Sequence, residues 1–226
     1  MLGWMSAQPM GAKRAMDGGG AYDGGGSGAR TGLIEGTRLA TAMGWRPVEA
    51  IAVGDKILTF DADLQRVTGI TRGSLWPEHT PCPERFWPVS VPAGALGNRD
   101  AMHIPSHQPI MLESDAAEEI FGDPFVLVPA IALDGIRGIT RTPPPEAIHI
   151  VVLNFAEDQV VFADNGALFF APSSRDLLDR AMTEEDEQLY SVLHADMART
   201  LLHQFKADFG TACVPHPHAP MAHTAA

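Results

Sequence analysis

Hydrophobic and polar residues alternate in short runs through the middle of the chain. Residues 37–41 read as a short alternating strand, closed by the turn Met43-Gly44-Trp45. Residues 45–51 follow and lead into the turn Val53-Gly54-Asp55, and 56–60, with apolar Ile57 and Leu58, predict a strand. A further strand is expected within 65–74, and the proline-rich stretch 76–88 predicts a loop. Short strands are expected at 89–91 and 125–128. Between them lie a turn at 93–97 and short apolar segments at 101–104 and 109–112. Residues 130–133 predict a short helical or extended piece, and 142–145 a proline break. Two β-rich runs, 147–155 and 159–162, are separated by Ala156-Glu157-Asp158 and predict a hairpin. Many short strands between turn signals predict an all-β domain over residues 32–172.

Beyond it the period changes. Thr183 is a good helix N-cap, with Glu184, Glu185 and Asp186 in the first turn. Leu189, Val192, Leu193, Met197, Leu201, Leu202 and Phe205 recur near helical spacing, which predicts a helix over 184–206 ahead of Gly210. This helical extension, 173–206, reads as packing on the β domain rather than as a partner-docking helix. Residues 1–31 include the run DGGGAYDGGGSG over 17–28 and read as a flexible segment. The tail 207–226 carries His216, His218 and His223 among prolines and alanines and reads as disordered rather than metal-binding.

Composition narrows the classes. Of 226 residues, 45% are hydrophobic and 19% charged, a globular balance, and 22 glycines with 18 prolines favour a turn-rich β protein. Acidic residues outnumber basic ones 28 to 16, so the net charge of −12 argues against a nucleic-acid partner and against an anionic membrane surface. There is no apolar run long enough for a transmembrane helix. The N-terminus lacks a Sec-type signal, which leaves the cytoplasm or a signal-independent export route. Cys82 and Cys213 form no Cys-x-x-Cys motif and read as free thiols.

Phosphate-loop, dinucleotide, zinc-protease and serine-elbow motifs are all missing. The polar groups of the β region are His79, His103, His107, His149, Asp158 and Asp164, with Thr37, Thr41, Ser106 and Cys82. His103 and His107 have the i, i+4 spacing of helical metal ligands, but Pro105 and Pro109 spoil a helix there. A metal-dependent hydrolase using His103, His107 and His149 is therefore the third-ranked reading, and no cofactor or metal is expected. Cys82 sits between Pro81 and Pro83 with no cation or helix terminus to activate it, so it reads as an idle thiol.

The order of segments says more than any one residue. Gly36-Thr37-Arg38-Leu39-Ala40-Thr41 precedes Gly44-Trp45-Arg46-Pro47-Val48-Glu49, and Val53-Gly54-Asp55-Lys56-Ile57-Leu58-Thr59 follows. Then come the run from Val89 to Asn98, the segment from Ile104 through His107 to Leu112, and Phe125 to Ala130. The set ends with Ile148-His149 through Asn165-Gly166. This ordered set resembles the Hint (Hedgehog/intein) domain, most closely a bacterial branch common in alphaproteobacteria. The resemblance covers residues 32–171. It implies a horseshoe-like all-β fold, here with a C-terminal α-helical extension, that brings the two ends of the domain together. It also implies autocatalytic peptide cleavage. A Cys or Ser at the first residue attacks the preceding carbonyl, and a histidine in a T-x-x-H motif polarises the scissile amide and protonates its nitrogen.

Against that pattern the reaction centre is broken. The nucleophile position is Gly32, and Thr31, one residue out, offers only a hindered hydroxyl. His107 matches the polarising histidine, but the hydroxyl expected three residues earlier is Ile104. His149 matches a histidine ahead of the penultimate strand, while Ala156-Glu157-Asp158 lacks the histidine often found there. Removing one member of a cooperative catalytic unit costs orders of magnitude. The sequence thus reads as a degenerate Hint domain, a structural or interaction module with an unidentified protein partner and not a working enzyme. The alternative is an active autoprocessing domain that cleaves near Thr31–Gly32 with help from His107.

Overall fold

The computed structural model describes residues 31–76, 81–144, 147–164, 166–173, 190–204 and 209–210. The glycine-rich segment 1–30, His79, Thr183 to Leu189, Cys213 and the three tail histidines lie outside them. Among the described residues the strands form three sheets. The first consists of β1 (Leu33–Ile34), β12 (His149–Asn154) and β6 (Gly69–Ser74), in that order.

The second sheet is the largest. Its path runs β10 (Phe125–Pro129), β9 (Pro109–Ser114), β14 (Ala167–Ala171), β13 (Gln159–Ala163), β2 (Arg38–Thr41), β4 (Lys56–Thr59) and β5 (Asp63–Arg66). Two further strands lie off that path: β3 (Gly44–Pro47) pairs with β2, and β15 (Phe209–Gly210) with β9. The third sheet holds β11 (Thr140–Arg141), β7 (Val89–Val91) and β8 (Met102–Ile104).

The run expected over 65–74 divides into β5 and β6, which join different sheets. The hairpin expected between 147–155 and 159–162 does not form. β12 pairs with β6 along its whole length and β13 pairs with β14. Both strands are continuous apolar runs because both faces of each are covered. Val151 and Leu153 of β12 face the main core while Ile150 and Val152 face a smaller cluster with Leu75. Val161 and Ala163 of β13 join the main core, and Val160 and Phe162 face Met111, Leu127 and Leu168. Residues 156–158 carry the chain from one sheet to another, and Asp158 Oδ1 accepts the Ser173 N–H at 2.7 Å.

The tight hairpin lies one strand later. β13 and β14 pair up to Ala163 and Ala167, and Asp164, next to that closing pair, has φ 45°. A short residue with a local hydrogen-bonding side chain tolerates that left-handed backbone. α1 (Asp115–Phe121), capped by left-handed Gly122, joins β9 to β10 and had no expectation in the sequence.

The C-terminal helix is α2 (Ala195–Gln204), shorter than expected because Tyr190 to Leu193 run extended along β10. Val192 bridges Leu127 in parallel, and Leu193 N–H donates to Leu127 O at 2.8 Å. α2 then buries Ala198, Leu201 and Leu202 in the main core. Phe209 and Gly210, which the sequence placed in the tail, form β15 against Ser114 and Glu113.

Candidate functional site

β1 brings the start of the domain into the first sheet. Leu33 opposes Val151 and Ile34 opposes Ile150 on β12. Gly32, immediately before β1, is buried, with φ at 123°. A Cβ built on Gly32 collides with Ile150 Cγ2 and lies 2.9 Å from Val152 Cγ2 and 3.2 Å from the Val151 carbonyl oxygen. Backbone conformation and packing therefore both select glycine. The smallest side chain has no room here.

The Gly32 N–H donates to Gln108 Oε1 at 2.7 Å. Gln108 is itself buried, and its Nε2 donates to Pro109 O at 3.0 Å and to Phe170 O at 2.7 Å. Acceptor and donors are thus all used, which fixes the orientation of the amide. One side chain joins Gly32 to β9 and to β14. Gln108 gave no signal in the sequence, because a glutamine between a histidine and a proline has no motif; only its burial and its three partners single it out.

His107 stands next to it, half-buried, in the turn that joins β8 to β9. Gln108 N–H donates to Pro105 O at 2.9 Å and closes that turn. Ile104, at the position where the T-x-x-H pattern has its hydroxyl, ends β8 and is fully buried. Ser106 does not replace that hydroxyl, since its Oγ is buried and donates to Arg85 O at 3.4 Å. Thr31 is half-buried and supplies the carbonyl of the Thr31–Gly32 peptide. The structure thus brings Thr31, Gly32 and the 106–108 turn into one place.

It does not bring His149 there. His149 is exposed on β12, where its carbonyl accepts the Glu35 N–H at 3.1 Å and its Nδ1 lies 3.4 Å from Ser74 Oγ. His149 is three residues along β12 from Val152, which packs against Gly32, about 10 Å on an extended strand. His103 is also exposed, opposite Ser90 in the third sheet. Among the described residues no group of three or more His, Cys, Asp or Glu side chains is arranged to hold a metal ion, so His103, His107 and His149 do not assemble a zinc site. The Cys82 thiol is half-buried, and burial pushes its pKa up, away from the thiolate.

Other segments of the ordered set have structural work. Asn98 ties the 92–98 loop: its Nδ2 donates to Pro92 O and Asp100 O, and its Oδ1 accepts the Leu96 N–H. That loop lies so close to the β13–β14 hairpin that a Cβ on Gly166 collides with Gly97 O. Asp164 holds the same hairpin to β2, its Oδ1 accepting the Arg38 N–H at 3.1 Å, and to the end of the 92–98 loop, its carbonyl accepting the Arg99 N–H at 3.0 Å. Burial raises the Asp164 pKa, and Asp100 adds to this, against the Arg38 N–H and the Arg38 charge.

A family model described as the Hint domain matches residues 31–169, more than half of the chain. The chain belongs to the Hint domain family. The match begins at Thr31, beside the Gly32–Gln108 bond, and ends within β14, the strand that the same glutamine holds. Comparison with curated proteins finds no match. Among solved structures the chain is similar to a splice-inactive variant of the AceL NrdHF class 3 split intein. Identity there is 16%, 64% of this chain and 99% of the intein are covered, and the TM-score is 0.42. It is also similar to a bacterial intein-like domain from Clostridium thermocellum, at 14% identity, 62% and 98% coverage and a TM-score of 0.45. The gp41-1 intein is similar at 8% identity, 62% and 98% coverage and a TM-score of 0.38.

Proposed function

We propose that this Hint domain does not cleave its own chain and acts as a structural or interaction module. The observation that carries this reading is the crowding at Gly32. The position that the family's chemistry gives to the attacking side chain holds a glycine with φ at 123°, and the space of a Cβ is filled by Ile150 and Val152. Without an attacking atom there is no acyl shift. The second support is the Gly32 amide. Cleavage requires a proton to be delivered to the scissile nitrogen, whereas here that N–H gives its own proton in a hydrogen bond to Gln108 Oε1. Donation to an acceptor strengthens amide resonance and makes the Thr31 carbonyl a poorer electrophile.

The test is the intact mass of the purified chain after prolonged incubation with dithiothreitol or hydroxylamine, either of which traps an activated ester. One species of 24.2 kDa is expected. Fragments split at Arg30–Thr31, where attack by the Thr31 hydroxyl would cut, or at Thr31–Gly32 sink the reading, and their loss in a His107→Ala variant assigns the acid of an active autoprocessing domain.

A further inference from the structure

The turn that carries His107 and Gln108 is held from outside the reaction centre. The 3-10 turn Ala130–Leu133 follows β10, and two of its amides bond the backbone on either side of His107. Ala130 N–H donates to Gln108 O at 2.9 Å, and Ile131 N–H donates to Ser106 O at 2.8 Å. The opposite support of this 3-10 turn is α2, which packs on it and on β10. Ala198, Leu201 and Leu202 of α2 share one apolar cluster with Ala130, Ala132 and Leu133. Leu202 is fully buried, so it has no freedom to move without opening a cavity.

α2 lies beyond residue 169, where the match to the Hint family ends. It is nevertheless fastened on both sides. Before it, Leu193 N–H bonds Leu127 O, the Tyr190 ring meets Phe170 edge-on, and the Tyr190 hydroxyl donates to Asp61. After it, β15 pairs with the end of β9. The C-terminal segment thus contacts both strands of the β9–β10 pair, and this pair begins at Pro109, the residue after Gln108.

We infer that α2 is a positioning element for the Hint reaction centre, with Leu202 as its principal positioning residue. Contact passes from α2, in which Leu202 is the fully buried leucine, to the 3-10 turn at 130–133, from there to the backbone of Ser106 and Gln108, and from Gln108 Oε1 to the Gly32 amide. Each link is a packed or hydrogen-bonded contact, so loosening the first loosens the last. The inference rests on reading Gly32 and the 106–108 turn as the centre, yet it needs no cleavage.

Its test is amide hydrogen exchange on the full chain. Leu202→Ala is expected to speed exchange of the Gly32 N–H at least tenfold, and Leu202→Met, which refills the space, to restore it. Ile57→Ala, an equally buried truncation on β4, serves as a control for general destabilisation and is expected to leave Gly32 within about twofold of the parent. Unchanged Gly32 exchange in Leu202→Ala overturns the inference, as does equal acceleration in Ile57→Ala. Should Leu202→Ala fail to fold, Leu202→Val is read against the same two outcomes. Self-cleavage in the mass experiment sinks the scaffold reading and leaves this coupling standing, whereas a flat exchange result does the reverse.

Discussion

At Gly32 the obvious repair of the family's chemistry fails on geometry. A Gly32→Cys variant regains a thiol but forces a β-carbon against Ile150 and Val152 on a backbone with positive φ. Overpacking of this kind costs about 1–3 kcal/mol, so the variant is expected to melt lower and to remain uncleaved in dithiothreitol; thiol-dependent scission at Gly32 sinks the argument. Asp164 gives a different test. Its pKa is raised from 3.8 in the folded chain, chiefly by burial. A carboxyl raised on folding contributes stability that is fully present below its unfolded pKa and lost as pH rises through the folded value. The Asp164→Asn substitution keeps an acceptor for the Arg38 N–H and leaves nothing to ionise. The melting temperature of this variant, relative to the parent, is therefore expected to climb between about pH 3 and pH 7; a flat or falling difference contradicts the assignment.

Between elements, Gln108 does the joining, and its chemistry separates two substitutions with different outcomes. Gln108→Ala leaves the Gly32 N–H and the Phe170 carbonyl without their partner, at about 1–3 kcal/mol for each group left unsatisfied. Gln108→Glu still accepts from Gly32 but turns a carboxylate toward Pro109 O and Phe170 O, where Nε2 now donates. Burying that charge against two carbonyls is worse than losing the bonds. Denaturant midpoints at neutral pH are expected to fall in the order parent, Gln108→Ala, Gln108→Glu, and the reverse order for the two variants rejects the orientation of the amide. Nothing in the sequence distinguishes this glutamine, because its partners lie 76 and 62 residues away. The same limit explains β12 and β13: the apolar runs are visible, but which strands cover them depends on contacts that no local pattern encodes. The turns at Gly54 and the strands β7 and β10 were legible because glycine, proline and alternation act locally. Gly32 and His107 are singled out only by the ordered family set, and the side-chain crowding that closes Gly32 has no local signal in the sequence.

For the whole molecule, the family match ends at residue 169, but the apolar core reaches Leu202. No helix among the described residues is long and apolar enough to cross a membrane. The apolar face of α2 is amphipathic cover turned onto the β domain instead. A chain stopped after Ser173 loses Ala198, Leu201 and Leu202 from the core, the two leucines being worth about 1.5–3 kcal/mol each when fully buried. It also uncovers the outer edge of β10, where Leu127 O receives the Leu193 N–H. β10 ends the path of the largest sheet, so its bare backbone becomes a template for another chain. The truncated protein is expected to melt lower and to associate with rising concentration, as seen by light scattering on a sizing column. Full-length chain at the same concentration supplies the comparison. A truncated chain that is as stable and as dispersed as the full one shows that α2 is an appendage and not part of the folding unit. In that case the support of the 130–133 turn must come from β10 alone.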